Sequence, residues 1–446
     1  MSRIWLAQCI GRNTPIPASL SIRQRVTIPL KHNHSLHTFQ NSSTRHKHRS
    51  IQQAQRNPVI PRFGSQSRPL SSITSSIPLF SSLPTPLIPP AIFIGLLLTL
   101  WTWKCLWIII LQDKLLYLSW LPPFSRSDKI EDYQKECAGV NWVEKQIRSW
   151  DGTKLVVCEG RVNPGSSLLR RVIENESVEE KTRKKTVVIA YFQGNGGSTP
   201  MRLPLLSGVL RGIAEVHSQQ LNGGYDTDVE YILVALSYRG FWKSSGRATQ
   251  RGIELDAQAF LSWITDTYTN PEMDLRVVLW GHSLGAAVAS SAVVRVLAGM
   301  SAEATTTPGG MDRANTKPPI TGLILEAPIS SIKDMLISLY PQKWLPYRYL
   351  WPFSWNNWDV AASLHEMGRY KTYPRFSNEV PPIFLLSAES DEVIPLWVAD
   401  QLKDKARRSG LEIRRMNVKG AMHIEGPLKQ DGRKALADFI RGAGWK

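Results

Sequence analysis

One pattern constrains the fold of this chain more than any other: short, unbroken apolar runs separated by helix-like stretches. The runs are TVVIAYF (186–192), YILVALSY (231–238), RVVLWG (276–281), ITGLILEA (320–327) and PIFLLSA (382–388). Helix-like segments cover 251–266, 284–299, 396–409 and 426–441. A strand without polar alternation is buried on both faces, as happens when helices cover both sides of a mostly parallel sheet. The expected class is therefore α/β. Ahead of the repeat, NWVEKQIRSWDGTKLVVCEG (141–160) reads as a hairpin turning at Asp151-Gly152. Three stretches read as inserted surface loops: charged 163–184, 216–229, and Thr-, Gly- and Pro-rich 299–319.

The third run leads into Gly281-His282-Ser283-Leu284-Gly285-Ala286 and then the small-residue segment AAVASSAVV. A lone G-x-S-x-G is a modest signal and can be an ordinary glycine-bounded turn. Between a strand and a helix it has the context of a nucleophile elbow. The sharp turn would lift the Ser283 hydroxyl above the sheet, with Gly281 and Gly285 small because neighbouring chain crowds in. The helix N-terminus behind it favours developing negative charge.

A serine nucleophile needs a base, and histidine is the usual one. Five of the nine histidines lie in the N-terminal 50 residues. His282 belongs to the elbow, with its side chain expected to point away from the serine's; His217 falls in a presumed insert and His365 in a presumed lid. His423, on the loop 416–427 before a final helix, remains by elimination and position. The orienting acid should lie between nucleophile and base in chain order. Asp391 fits in SAESDEVIP, with Glu389, Glu392 and Glu326 as competitors. For an oxyanion hole, the backbone N–H of Leu284 is one candidate donor. The other is Asn195, in Gln193-Gly194-Asn195-Gly196-Gly197, where glycines let main chain approach a substrate. That loop lacks the Lys and Ser/Thr of a phosphate cradle.

The formal net charge is +17, but residues 1–112 hold nine Arg and three Lys with no acid, leaving +5 for the rest. Charge confined to a Ser-, Pro- and His-rich leader does not point to nucleic acid. Residues 1–80 are expected to be disordered, and they also resemble a mitochondrial transit peptide. Ala91–Leu111 follows, 21 residues with one charge, Lys104, long enough to cross a bilayer. Trp101, Trp103 and Trp107 suit an interface yet lie within it. The basic flank keeps the N-terminus cytosolic by the positive-inside rule and sends 113–446 across. An endoplasmic-reticulum membrane with a lumenal catalytic domain is expected, a mitochondrial membrane being the alternative. Asn175-Glu176-Ser177 is a potential glycosylation acceptor. Four scattered cysteines give no support to a disulfide framework or metal site, and no cofactor is expected.

Several stretches together resemble the membrane-anchored α/β-hydrolase-domain proteins, the group with monoacylglycerol and lysophospholipid lipases. They are Gln112–Leu118, Tyr238–Gly246 with Gly252 and Asp256, Glu326–Ser331, and Asp391–Pro395. The resemblance implies an α/β-hydrolase fold, a Ser283–Asp391–His423 triad, a lid at about 328–380 and a lipid-like acyl ester or thioester substrate. Two positions depart from the family: Gln193 stands where a histidine is usual, and Ile424-Glu425 follow the base. The aromatic lid (Tyr340, Trp344, Tyr347, Tyr349, Trp351, Phe353, Trp355, Trp358) suits an acyl pocket or a membrane surface, or simply packs on the core. An acyl-protein thioesterase and a non-catalytic membrane interaction protein are the competing readings.

Overall fold

The computed structural model describes residues 84–137, 139–162, 184–221, 229–306 and 317–444. The leader 1–80, Asn175, residues 163–183 and residues 307–316 lie outside the described residues; 299–306, read as the start of a surface loop, instead continue the helix Leu284–Thr306. Eight strands form one sheet in the order β1-β2-β4-β3-β5-β6-β7-β8. They are β1 (Val140–Arg148), β2 (Lys154–Val162), β3 (Lys184–Phe192), β4 (Val229–Ser237), β5 (Met273–His282), β6 (Ile320–Glu326), β7 (Ile383–Ala388) and β8 (Ile413–Val418). The β1–β2 hairpin pairs antiparallel and joins β4 antiparallel, and every later pairing is parallel. This is the expected α/β-hydrolase fold.

Nine helices among the described residues are labelled α1 (Ile88–Ile110), α2 (Gln112–Leu116), α3 (Leu203–Leu221), α4 (Gln250–Tyr268), α5 (Leu284–Thr306), α6 (Ile332–Leu339), α7 (Val360–Thr372), α8 (Leu396–Arg408) and α9 (Gln430–Gly444). The apolar runs are unbroken because both faces are covered. Val188, Ala190 and Phe192 of β3 enter one core, with α4, α5, α7 and α8. Val187, Ile189 and Tyr191 enter the other, with α3 and α9. Another expectation is corrected: 216–221, read as the start of a surface insert, continues helix α3. Its polar run Ser218-Gln219-Gln220 lacks the apolar spacing that marks a helix in sequence, and here the helix is carried by the core-facing residues of its earlier turns.

Residues Leu97–Lys446 form one unit by contact, and 84–96, the described part of the other, includes the first turns of α1. At roughly 1.5 Å rise per residue α1 is about 34 Å long, against about 30 Å of bilayer hydrocarbon. None of its most apolar window is buried, whereas 56% of that of the less apolar Leu284–Ala302 lies inside the protein, as in a core helix. The later turns of α1 meet the segment after β6. Trp101 packs on Trp344 with ring centroids 5.8 Å apart, and the ammonium of Lys104 lies 4.2 Å from the Tyr347 ring centre. That cation–π contact offsets part of the cost of a charge in an apolar helix.

Within 328–380 the aromatics divide. Trp358 and Tyr347 are buried, while Trp344 and Trp355 are 67% and 64% exposed. Helix α7 puts Val360, Leu364 and Met367 into the main core. Helix α6 is closed at its end by Arg348, whose guanidinium donates to the carbonyls of Ile337, Tyr340 and Pro341.

The Tyr238–Gly246 stretch is anchored by Arg239, which pairs with fully buried Asp256 at 2.7 Å and with Asp151 at 2.7 Å. Gly252 is a glycine because a Cβ there would lie 2.5 Å from the Arg239 side chain. Removing one partner of a buried ion pair leaves the other charge uncompensated, at about 3–5 kcal/mol. Asp256→Ala is accordingly expected to lower the unfolding free energy by about that amount, read as a shifted urea midpoint by circular dichroism.

Candidate active site

The site begins at a backbone contact. A Cβ on Gly285 would lie 2.1 Å from the carbonyl oxygen of Phe192, and one on Gly281 would lie 2.3 Å from that of Gly285. Only glycines permit the β5–α5 turn to press against the end of β3. Between them Ser283 takes φ 54°, a left-handed conformation that costs a non-glycine residue roughly 1–2 kcal/mol. The strained residue is held by its N–H, which donates to Glu326 O at 2.8 Å, and by its carbonyl, which accepts from the Ala286 N–H at 3.1 Å. Leu284 opens α5, where the first N–H groups have no intrahelical acceptor.

The loop after β3 lies alongside. The Asn195 carbonyl accepts from the Leu118 N–H at 2.7 Å, and the Gly197 N–H donates to Leu121 O at 2.8 Å. The segment that follows α1 therefore braces this loop from below. Tyr117 in that segment donates its hydroxyl to Asn356 and accepts from the Trp358 indole. Asn356 donates in turn to Asp113, which also pairs with Arg247 at 3.0 Å. Gln193, where the family's histidine would stand, is a buried pin. Its carbonyl accepts from the Tyr238 hydroxyl, and its side-chain oxygen accepts from Thr199.

Asp391 and His423 meet: Nδ1 of the imidazole lies 2.8 and 3.0 Å from the two carboxylate oxygens, and both side chains are buried. Oδ1 of Asp391 also accepts from the N–H groups of Val393 and Ile394, which aims the carboxylate. The competing acids have other partners. Glu392 accepts from the His423 main-chain N–H at 3.0 Å, and Glu389 accepts from that of Gly420 at 2.9 Å. Nε2 of His423 is buried and has no hydrogen-bond partner among the described residues, so it is not bonded to Ser283 in this structure. Such contacts often tighten only with substrate bound. Ser283 and Leu284 line a recess of about 40 Å³; His423 and His282 line a neighbouring one of about 110 Å³; Asn195 belongs to both.

Sequence reasoning missed a buried cluster behind the elbow. His282, 5.0 Å ring to ring from His423, accepts at Nδ1 from Arg202 at 2.9 Å. Its ring also lies where a Cβ on Gly194 would be, at 2.9 Å, which explains that glycine. Burial, with the Arg202 guanidinium beside it, holds the His282 pKa well below the ordinary range and keeps the ring neutral. Glu326, weighed in the sequence as an orienting acid, instead accepts from the Trp280 indole at 2.8 Å and has one oxygen without a partner. Only its place at the end of an apolar strand hinted at burial; nothing local to Arg202 pointed here.

Burial pushes the Glu326 carboxyl up to about 7 from an ordinary 4.5. The unfolded chain releases that proton first, so the stability from the neutral group is complete below about 4.5 and is lost as pH rises through about 7. The loss is on the order of 3 kcal/mol. Glu326→Gln keeps an acceptor for Trp280 and has no proton to lose. On going from pH 5 to pH 8 the urea midpoint of the native chain should fall relative to that of the variant, since the opposite dependence from neutral His282 is common to both.

Among the described residues no group of three His, Cys, Asp or Glu side chains is arranged to hold a metal ion. A model of the alpha/beta hydrolase family matches residues 211–439, just over half of the chain. The lysophosphatidylserine lipase ABHD12 of Danio rerio is 31% identical over 179 residues, 40% of this chain and 40% of that protein. Protein bem46 of Schizosaccharomyces pombe is 24% identical over 239 residues, 50% of this chain and 62% of that one. The matched stretch thus spans less than two thirds of either relative. Among solved structures, a Pyrococcus furiosus esterase, Pf2001, aligns over 69% of this chain and 92% of its own at 17% identity and a TM-score of 0.39, too loose a likeness to add to the topology described above.

Proposed function

Because this chain belongs to the alpha/beta hydrolase family, we propose that it is a membrane-anchored serine hydrolase that cleaves carboxylic acyl esters of lipid-like substrates, lysophospholipids or monoacylglycerols. The observation that carries the reading is the orphaned, buried Nε2 of His423, with its other ring nitrogen held by Asp391 and its ring 5.0 Å from that of His282, the chain neighbour of the strained Ser283. A buried imidazole nitrogen without a partner is costly unless a reacting group supplies one. In this reading Ser283 Oγ attacks the acyl carbon as His423 takes its proton. Asp391 fixes which ring nitrogen carries a proton. The backbone N–H groups of Leu284 and Asn195 receive the oxyanion. His423 returns the proton to the leaving alcohol, and water, activated by the same ring, releases the acid from Ser283. No cofactor is needed for these steps.

Two observations favour a lipid substrate over a small soluble ester. The Danio rerio relative is a lysophosphatidylserine lipase. Trp344, Trp351, Phe353 and Trp355 are exposed large aromatics on the segment that meets α1, a composition suited to a membrane interface. The anchor would be α1, with residues 113–446 as the hydrolase domain and part of 328–380 as a lid. The positive-inside rule, applied to the acid-free leader, favours a lumenal domain in the endoplasmic reticulum over a mitochondrial one.

An active-site-directed fluorophosphonate should label the native protein and leave Ser283→Ala unlabelled. That variant should lose roughly 10⁴-fold or more in kcat/KM on a lysophospholipid or monoacylglycerol. Labelling that survives the substitution sinks the nucleophile assignment. For topology, expression in cells should give a glycosidase-sensitive mass that Asn175→Gln removes; a mass indifferent to both places the domain on the other side.

A further inference from the structure

Next to the Ser283 recess lies a larger cavity, of about 370 Å³. One wall is the end of α1 and the segment after it, with Ile108, Ile109 and Leu115; the other is α6, with Ile332 and Leu336. Leu116, Met335 and Leu339 line both spaces, so the two share a wall of three aliphatic side chains. We propose that this cavity receives the acyl chain of the substrate, and that the chain enters it from the bilayer along the last turns of α1. The inference rests on the hydrolase reading and specifies where that substrate is held.

Four observations lead to it. The recess at Ser283, about 40 Å³, is much the smaller of the two adjoining spaces, so a long attached chain would extend into its neighbour. The neighbouring cavity has a volume within the roughly 300–1,000 Å³ common to ligand pockets. Its polar groups are occupied: Gln112 accepts from the Trp355 N–H and Asn356 donates to Asp113, which leaves aliphatic and aromatic surface for an occupant. Finally, its wall is the helix that is long and apolar enough to cross a membrane, and Lys104, which also lines it, is drawn onto the Tyr347 ring. A chain leaving the bilayer beside α1 would meet no free charge from that lysine. The polar recess with His282 and His423, which shares Asn195 with the Ser283 recess, is where the leaving alcohol would take its proton.

The test uses the full chain in phosphatidylcholine vesicles and a fluorophosphonate with a palmitoyl-length alkyl chain ending in a diazirine. Ser283 Oγ forms the phosphorus–oxygen bond, fluoride leaves, and light then inserts the far end of the chain into whatever it touches. Mass spectrometry should find the crosslinks on the peptides that contain Ile108 and Ile109, or Leu336 and Leu339. Adducts on Ser283 whose chains crosslink only to the Val393–Val398 side or to vesicle lipid overturn the assignment while leaving the nucleophile intact. Absence of any Ser283 adduct overturns the hydrolase reading, and the acyl assignment with it. Independently, Leu336→Trp should raise the ratio of kcat/KM for butyryl over palmitoyl esters by at least about tenfold; an unchanged ratio counts against the cavity.

Discussion

The main-chain oxygen of Phe192 occupies the space where a side chain at residue 285 would begin. That contact locks the end of β3 to the turn between β5 and α5, and the rest of the site inherits its position from it. The turn must tighten until Ser283 goes left-handed, and α5 must then start at once with Leu284. The glycine-rich loop with Asn195 leaves the same end of β3 only a few residues further on. One steric condition between neighbouring parallel strands thus brings Ser283, Leu284 and Asn195 to the lining of one recess.

The candidate acid and base, Asp391 and His423, sit on a second, polar framework. Glu389, Asp391 and Glu392 are close in sequence, and each binds the loop that carries His423, at Gly420, at the imidazole and at the His423 main chain. The carboxylate on the ring is flanked by one that holds the His423 main chain and one that holds the same loop at Gly420. Such redundancy fixes the imidazole in a buried position and leaves its far nitrogen free.

The sheet was legible because burial on both faces writes itself into sequence as unbroken apolar runs, and the elbow because steric crowding demands glycine at two set positions. Chain order singled out Asp391 and His423, whose side chains do meet. The Arg202–His282–Glu326 cluster was not legible: its members come from three elements, and a half-buried arginine at the foot of α3 reads in sequence like a surface one. Nor could aromatic content foretell which lid rings are buried, since Trp358 and Trp355 are three residues apart and differ by almost the full range of exposure. Turn-rich chain has no fixed period from which to infer a buried side.

The segment from Gln112 to Leu121 ties the apolar helix to the catalytic face, through the lid on one side and the glycine-rich loop on the other. The chain that follows the apolar helix is thus also part of the proposed site. A soluble fragment begun after Leu121 would keep every strand of the sheet, yet it would lose both main-chain bonds beneath its own Asn195 loop. Cutting away the apolar helix together with that segment would therefore unbrace the loop that carries the proposed oxyanion donor.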